Sequence, residues 1–213
     1  MSSAQTTFWG VPADLRKARD DRGQRIVADA YYTPDPLAAA IVDALHAVEP
    51  IRGPVWDPHA GGGAFTRQLL RYVDAREVWG SDINPAAPAL VDGHLLRGNY
   101  SCREFLTHPG IHGLRWIVGN PPYAHAEQHV RHALTMYPGR HVVFLLRAAF
   151  VESKTRAPFW AQHPARHVWF LAKRPSFTGG STDSCAYAVF WWDRQHRGPT
   201  TCTPGWDWEG GRQ

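Results

Sequence analysis

Apolar positions in this chain come as short runs separated by polar, glycine- and proline-rich stretches, and the spacing within the runs changes along its length. From Pro36 onward Leu37, Ala40, Ile41, Ala44, Leu45 and Val48 recur at helical spacing, with Pro34 and Pro36 marking the start. Short β-type runs then alternate with helical ones: a strand at Val55-Trp56, a helix over Phe65–Tyr72, a strand over Val78–Ser81 and a weak helix over Pro85–Val91. A strand at Trp116–Gly119, a helix over Glu127–Met136 and a strand over His141–Leu146 follow. Alternation of this kind predicts an α/β protein with a doubly wound, mostly parallel sheet. The ending differs. His167–Leu171 and Ala186–Trp192 are joined by a Gly/Ser/Thr loop with no room for a helix, which predicts a C-terminal antiparallel hairpin. Trp191 and Trp192 point to opposite faces of that last strand, so one is expected buried and the other exposed. Residues 1–30 are polar and charged, with little periodicity apart from Phe8-Trp9. They read as an N-terminal extension with one short helix near Asp14–Arg19.

At 213 residues the chain is long enough for one domain with a substantial core, and a hydrophobic content of 44% excludes wholesale disorder. No apolar run approaches the roughly 20 residues that cross a bilayer, and the start lacks a basic region followed by an apolar one, so no secretory signal is expected. Cys102, Cys185 and Cys202 are too few and scattered for a disulfide framework or a Cys-based zinc site, so a reduced, cytoplasmic setting is expected. Charge is distributed unevenly: residues 140–213 carry a net +5, the first 139 a net −1. A basic surface confined to one part of the chain fits a polyanionic partner.

The chemistry is concentrated after the strands. Asn120-Pro121-Pro122-Tyr123 follows the apolar run Trp116-Ile117-Val118-Gly119 directly. Two prolines cannot continue a strand ladder, so these residues fall at the carboxyl edge of the sheet, where open α/β sheets place their ligands. Asn120 offers an acceptor oxygen, the Pro121 carbonyl a second, and Tyr123 a flat ring, which suits a planar ring bearing an exocyclic amine. An ordinary strand-ending turn is the bland alternative for those four residues. Between the first strand and its helix lies Asp57-Pro58-His59-Ala60-Gly61-Gly62-Gly63-Ala64-Phe65, whose glycines allow close backbone approach to a ligand but lack dinucleotide or P-loop spacing. The second strand ends at Asp82, where a carboxylate can accept both protons of a ribose diol. Taken singly, Asp57 could be a helix cap and Asp82 an Asx turn; together, one strand apart, they point to a cofactor.

Tyr31-Tyr32-Thr33-Pro34, then Asp57-Pro58-x-Ala60-Gly61-x-Gly63, then Asp82, then Asn120-Pro121-Pro122-Tyr123 resembles the S-adenosylmethionine-dependent N6-adenine DNA methyltransferases, over roughly residues 31–193. His141–Phe150 and Arg174-Pro175-Ser176-Phe177 also resemble later motifs of small phage or prophage members. The resemblance implies a Rossmann-like, mostly parallel seven-stranded sheet with the C-terminal hairpin. It further implies an N-terminal extension 1–30, a catalytic domain 31–195 and a tail 196–213. It places Tyr32 and Thr33 near the methionine part of the cofactor, with Asp57, Ala60, Gly61 and Gly63 lining it. Asp82 is assigned to the ribose and Ile83 to the cofactor adenine. For the acid that meets the adenine amino group the candidates are Asn99 and Glu104, with Glu104 and Phe105 favoured. Asn120, Pro121, Pro122 and Tyr123 would carry catalysis. Tyr123 would stack on the target base, Phe177 would form the opposite wall, and Arg147, Lys154 and Arg174 would meet the nucleic acid.

Methyl transfer to a conjugated amine is the specific part of this reading; the carrier is less so. RNA adenine and protein glutamine are alternative substrates, although residues 1–30 are too short for the helical substrate domain of the glutamine enzymes. A nucleic-acid-binding module with an inactive site is the non-enzymatic alternative. No separate target-recognition domain is expected, so recognition would fall to the loops at Phe150–Pro164 and Lys173–Ser184, to the extension, or to a partner subunit. His125, His129 and His132 share helical spacing, but no Cys or acid completes a ligand set, and no metal is expected.

Overall fold

The computed structural model describes residues 31–85, 87, 99–136, 141–177 and 184–210. The short helix expected near Asp14–Arg19 lies outside these, as does most of the one expected over Pro85–Val91. Helix α1 (Asp35–Val48) begins behind Pro34 and buries Leu37, Ala38, Ile41, Val42 and Leu45 on one face. The order then runs β1 (Val55–Asp57), α2 (Ala64–Leu69), β2 (Val78–Asp82), β3 (Tyr100–Cys102), β4 (Trp116–Gly119), α3 (Ala126–Met136) and β5 (His141–Arg147). It ends with α4 (Ala157–Gln162), β6 (His167–Leu171), β7 (Tyr187–Asp193) and β8 (Thr201–Trp206).

The described strands form one eight-stranded sheet in the order β3-β2-β1-β4-β5-β7-β6-β8. Strands β3, β2, β1, β4 and β5 run parallel, and β7 inserts antiparallel between β5 and β6. Because β1 pairs with both β2 and β4, the chain reverses its direction of winding there, and the carboxyl ends of β1 and β4 are where open sheets of this kind place their ligands. Asp57 ends β1, and Asn120 follows β4.

Alternate residues of each central strand enter separate cores. Val55, Val118, Val143, Leu145 and Trp191 pack on the α1/α2 face; Trp56, Ile117, Val142, Phe144, Leu146 and Trp192 pack on the α3 face. Covering both faces explains the continuous apolar runs. It also corrects the expectation for Trp191 and Trp192, which point oppositely but are both buried, because α3 and α4 side chains close the second face.

The sheet has one strand more than the seven expected. Thr201–Trp206, expected as tail, joins the edge parallel to β6. Its pattern is mostly exposed, and it contains Pro204 and Gly205, so it carries no apolar alternation. An edge strand tolerates proline because one side of its ladder faces solvent. Trp206 lies tilted against Trp169 with ring centres 5.3 Å apart, and the Trp208 indole donates to the Lys173 carbonyl at 2.8 Å, which fastens the segment down. Among the described residues no helix is long and apolar enough to cross a membrane.

Candidate active site

The glycine loop after β1 is shaped by its backbone. Gly61 and Gly63 adopt positive φ, +46° and +76°, a region that costs side-chain-bearing residues strain. A Cβ on Gly61 would lie 2.7 Å from the Tyr32 ring, so the Tyr31–Thr33 segment rests directly against the loop. The loop is tied to β2 twice: the Ala60 amide donates to the Ser81 carbonyl at 3.0 Å and the Gly61 amide to Asp82 Oδ2 at 2.8 Å. Asp82 Oδ1 accepts from the Asn84 amide at 2.8 Å, which leaves one lone pair on each oxygen for a ligand. Burial raises the Asp82 carboxyl above its usual range, and the two amide hydrogen bonds oppose the shift.

Asp57 is fully buried. Its Oδ2 accepts from Thr66 Oγ1 at 2.9 Å, whereas Oδ1 has no partner among the described residues. Desolvation pushes its pKa up to about 7, against the pull of the Thr66 hydroxyl. Gly119 keeps the neighbouring space open: a Cβ there would sit 3.3 Å from both Asp57 Oδ1 and His59 Nδ1. Both ring nitrogens of His59 are buried and have no partner among the described residues, and desolvation holds its pKa well below the usual range. Thr66 and His59 were not singled out from sequence. A hydroxyl in the first turn of α2 and a histidine within the glycine loop were the only signals.

Across β4, Asn120 Nδ2 donates to the Tyr31 carbonyl at 2.9 Å and to Thr33 Oγ1 at 3.1 Å. Its Oδ1 is buried and has no partner among the described residues. Pro121 is buried, and the Pro122 carbonyl accepts from the His125 amide at 3.1 Å, which turns the chain into α3. Tyr123 stands among aromatic rings, with Tyr31 and Tyr187 each 5.3 Å away and Phe177 6.3 Å away. The Arg147 guanidinium carbon lies 5.4 Å from the Tyr123 ring centre. Tyr123, Phe177 and Arg147, assigned together from sequence, therefore meet. Tyr31 and Tyr187 complete the group and had no assigned role.

Other expected residues stand elsewhere. Lys154 is exposed on the turn Lys154–Arg156, and Arg174 donates to the Ser184 carbonyl at 3.0 Å, stapling the two sides of its loop. Ile83 and Glu104 are half-buried just beyond β2 and β3, at the same edge as Asp82. Phe105 is in the core of the α3 face, between Trp56 at 5.2 Å, His59 at 5.1 Å and His132 at 4.9 Å. Asn99 donates to the carbonyls of Ala75 and Arg76. His129 lies against His59 at 4.9 Å, and burial lowers its pKa to about 3. The described residues hold one three-ligand arrangement able to bind a metal, Glu49, His141 and Asp193, at the opposite edge of the sheet. Arg166 already bridges Glu49 and Asp193 there, at 2.9 and 3.0 Å.

No protein-family model matches the chain, and no curated protein matches it significantly. Solved structures do. A class I S-adenosylmethionine-dependent methyltransferase, as it is described, from Listeria monocytogenes aligns with a TM-score of 0.66 at 14% identity, over 86% of this chain and 68% of that one. The methyltransferase subunit of a type I restriction-modification system from Streptococcus thermophilus aligns with a TM-score of 0.63 at 14% identity, over 78% of this chain. This chain spans only 45% of that subunit's length. A protein described as an RNA methyltransferase from Pyrococcus horikoshii aligns with a TM-score of 0.61 at 16% identity, over 76% of this chain and 86% of that one. The chain thus has the fold of the class I S-adenosylmethionine-dependent methyltransferases.

Proposed function

We propose that this protein transfers a methyl group from S-adenosylmethionine to the exocyclic N6 amine of adenine in DNA. The reading is carried by one observation: Asn120 Oδ1 is buried and has no partner among the described residues, while Nδ2 is engaged twice. A backbone carbonyl can only accept, so the Tyr31 carbonyl dictates that the amide nitrogen faces it and the oxygen is turned away. No donor among the described residues meets that oxygen, which leaves it open to a hydrogen from a ligand.

Bound in the crevice, the cofactor would supply a methyl group on positively charged sulfur. Asp82 has lone pairs for its ribose hydroxyls. Asp57 Oδ1 offers an unpaired acceptor to its positive charge, and the glycine loop offers close backbone approach. The purine amine is a weak nucleophile because its lone pair is delocalised into the ring. Hydrogen bonds to Asn120 Oδ1 and the Pro121 carbonyl favour pyramidal nitrogen and aim the lone pair, which is orientational and electrostatic catalysis with no strong base. Tyr123 would stack on the base, worth about 1–3 kcal/mol. A paired base cannot reach such a site and must be flipped out or already single-stranded. The likeness to a restriction-modification methyltransferase subunit supports DNA as substrate and a partner subunit for target choice.

Transfer of tritiated methyl groups to DNA, RNA and a protein extract, beside an Asn120→Ala control, tests this. Label entering DNA at adenine, lost in the control, is expected. Label confined to RNA or protein, or undiminished in the control, would overturn the assignment.

A further inference from the structure

Three consecutive residues ahead of α1 touch three separate parts of the site. Tyr31 places its ring on Tyr123 and Phe177, at 5.3 and 5.5 Å, and its carbonyl on Asn120. Tyr32 turns the other way, onto Gly61. Thr33 turns back, with its hydroxyl 3.1 Å from Asn120 Nδ2. The contacts alternate as they do along an extended chain, and Pro34 then enters α1, whose Ala38 amide donates to the Pro34 carbonyl at 3.0 Å. The segment is therefore anchored downstream, so its hydroxyl is held in place.

An asparagine amide rotates readily about its last torsion, which is broad rather than staggered. One hydrogen bond to the Tyr31 carbonyl selects which end of the amide faces inward, but leaves its plane free to swing. A second acceptor at a different angle fixes the plane, and with it the direction of Oδ1. Threonine is well suited to this, because branching at Cβ stiffens the torsion that carries the hydroxyl. We propose that Thr33 is a positioning residue for methyl transfer, holding the Asn120 carboxamide rather than serving the cofactor's methionine end. This rests on the proposed role of Asn120. It predicts that losing the hydroxyl slows the chemical step and leaves cofactor affinity alone.

The test compares Thr33→Val, which keeps shape without the hydroxyl, with Thr33→Ser, which keeps the hydroxyl. Steady-state transfer to an adenine oligonucleotide is measured with titration of sinefungin and the ¹⁵N–¹H side-chain amide resonances of Asn120. Since a displacement of about 1 Å in a reacting group can cost on the order of 100-fold, T33V is expected to lower kcat roughly tenfold. T33S should recover most of it, and sinefungin affinity should stay within about twofold in both, a small change against the tenfold that 1.4 kcal/mol represents. The Asn120 amide pair should shift in T33V and return in T33S. Weakened sinefungin binding with kcat unchanged would overturn the proposal, as would T33S losing as much as T33V. If the wild-type protein transfers no methyl group to any substrate, the functional reading fails by itself. The resonances then decide separately, and an Asn120 pair unmoved in T33V refutes the positioning contact.

Discussion

The two edges of the sheet treat polar groups in opposite ways. At the amino end of β5, Arg166 joins Glu49 and Asp193, and the Trp191 indole donates to His141 Nδ1 at 3.3 Å, so the acids are matched by a cation. At the carboxyl end of β1 and β4, Asp57 Oδ1 and Asn120 Oδ1 are buried without partners among the described residues. A buried acceptor left unmade costs roughly 1–3 kcal/mol. A ligand that donates to both acceptors would remove that cost. Under the proposed function the open acceptors await ligands, whereas the acids of the closed cluster are already paired.

If that contrast holds, substitutions at the two edges should separate activity from stability. The largest effect is expected at Asn120. Removing a pre-aimed polar group at a reacting centre costs about 10²–10³-fold in rate, so Asn120→Ala should lower kcat by that order. Its urea midpoint should fall only modestly: Oδ1 has no internal bond among the described residues, and the two Nδ2 hydrogen bonds to Tyr31 and Thr33 that are lost contribute about 0.5–1.5 kcal/mol each. A midpoint falling in step with activity would mean that Asn120 is structural.

Asp57 comes next. Its folded pKa of about 7 lies above an unfolded value near 3.8, so the folded state binds the extra proton between those limits. Stability should therefore fall as pH rises from about 4 through 7, by roughly 2–4 kcal/mol. Asp57→Asn should abolish that slope and be the more stable form at pH 8. Cationic sinefungin prefers the ionised carboxylate, so it should bind wild type more tightly at pH 8 than at pH 6 and the variant equally at both. Parallel pH curves for the two proteins would remove Asp57 from this account. At the closed edge, Arg166→Met should cost about 2 kcal/mol, less than a fully buried pair because Glu49 is partly solvated. Denaturant unfolding measures that loss, and activity per folded molecule should be unchanged.

The open edge was the more legible of the two from sequence. Trp116–Gly119 is an apolar run stopped by two prolines, and Gly61 and Gly63 sit where positive φ is required, so local chemistry alone located the strand end and the loop. Both depend on neighbours in sequence. The contact from Tyr31 to Asn120 spans 89 residues, and nothing local to Tyr31 announces it. Tyr187 joins the ring cluster only because β7 inserts beside β5. Strand β8 was missed for a different reason: it is held mainly by its ladder to β6, and backbone hydrogen bonds leave no mark on side-chain pattern. The saturated cluster of Glu49, His141, Arg166 and Asp193 draws on four separate elements, so no spacing rule could have assembled it.

The smallest effect bears on whether the open edge extends to the surface that meets nucleic acid. Lys154 is exposed on the turn that follows the carboxyl end of β5, the end at which Arg147 lies against Tyr123, and takes no part in any ion pair among the described residues. A free surface cation that meets a phosphate acts through counterion release. Each such contact steepens the dependence of log K on log salt by about 0.7–0.9. Lys154→Ala should therefore flatten the salt slope for a single-stranded oligonucleotide by about that amount. It should lower affinity equally for adenine-containing and adenine-free strands, because a phosphate contact carries no base information. Arg147, lying against Tyr123, should behave differently, with its loss reducing kcat more than the salt slope. An unchanged slope in Lys154→Ala would confine nucleic-acid contact to the aromatic crevice and leave the basic C-terminal surface to another partner.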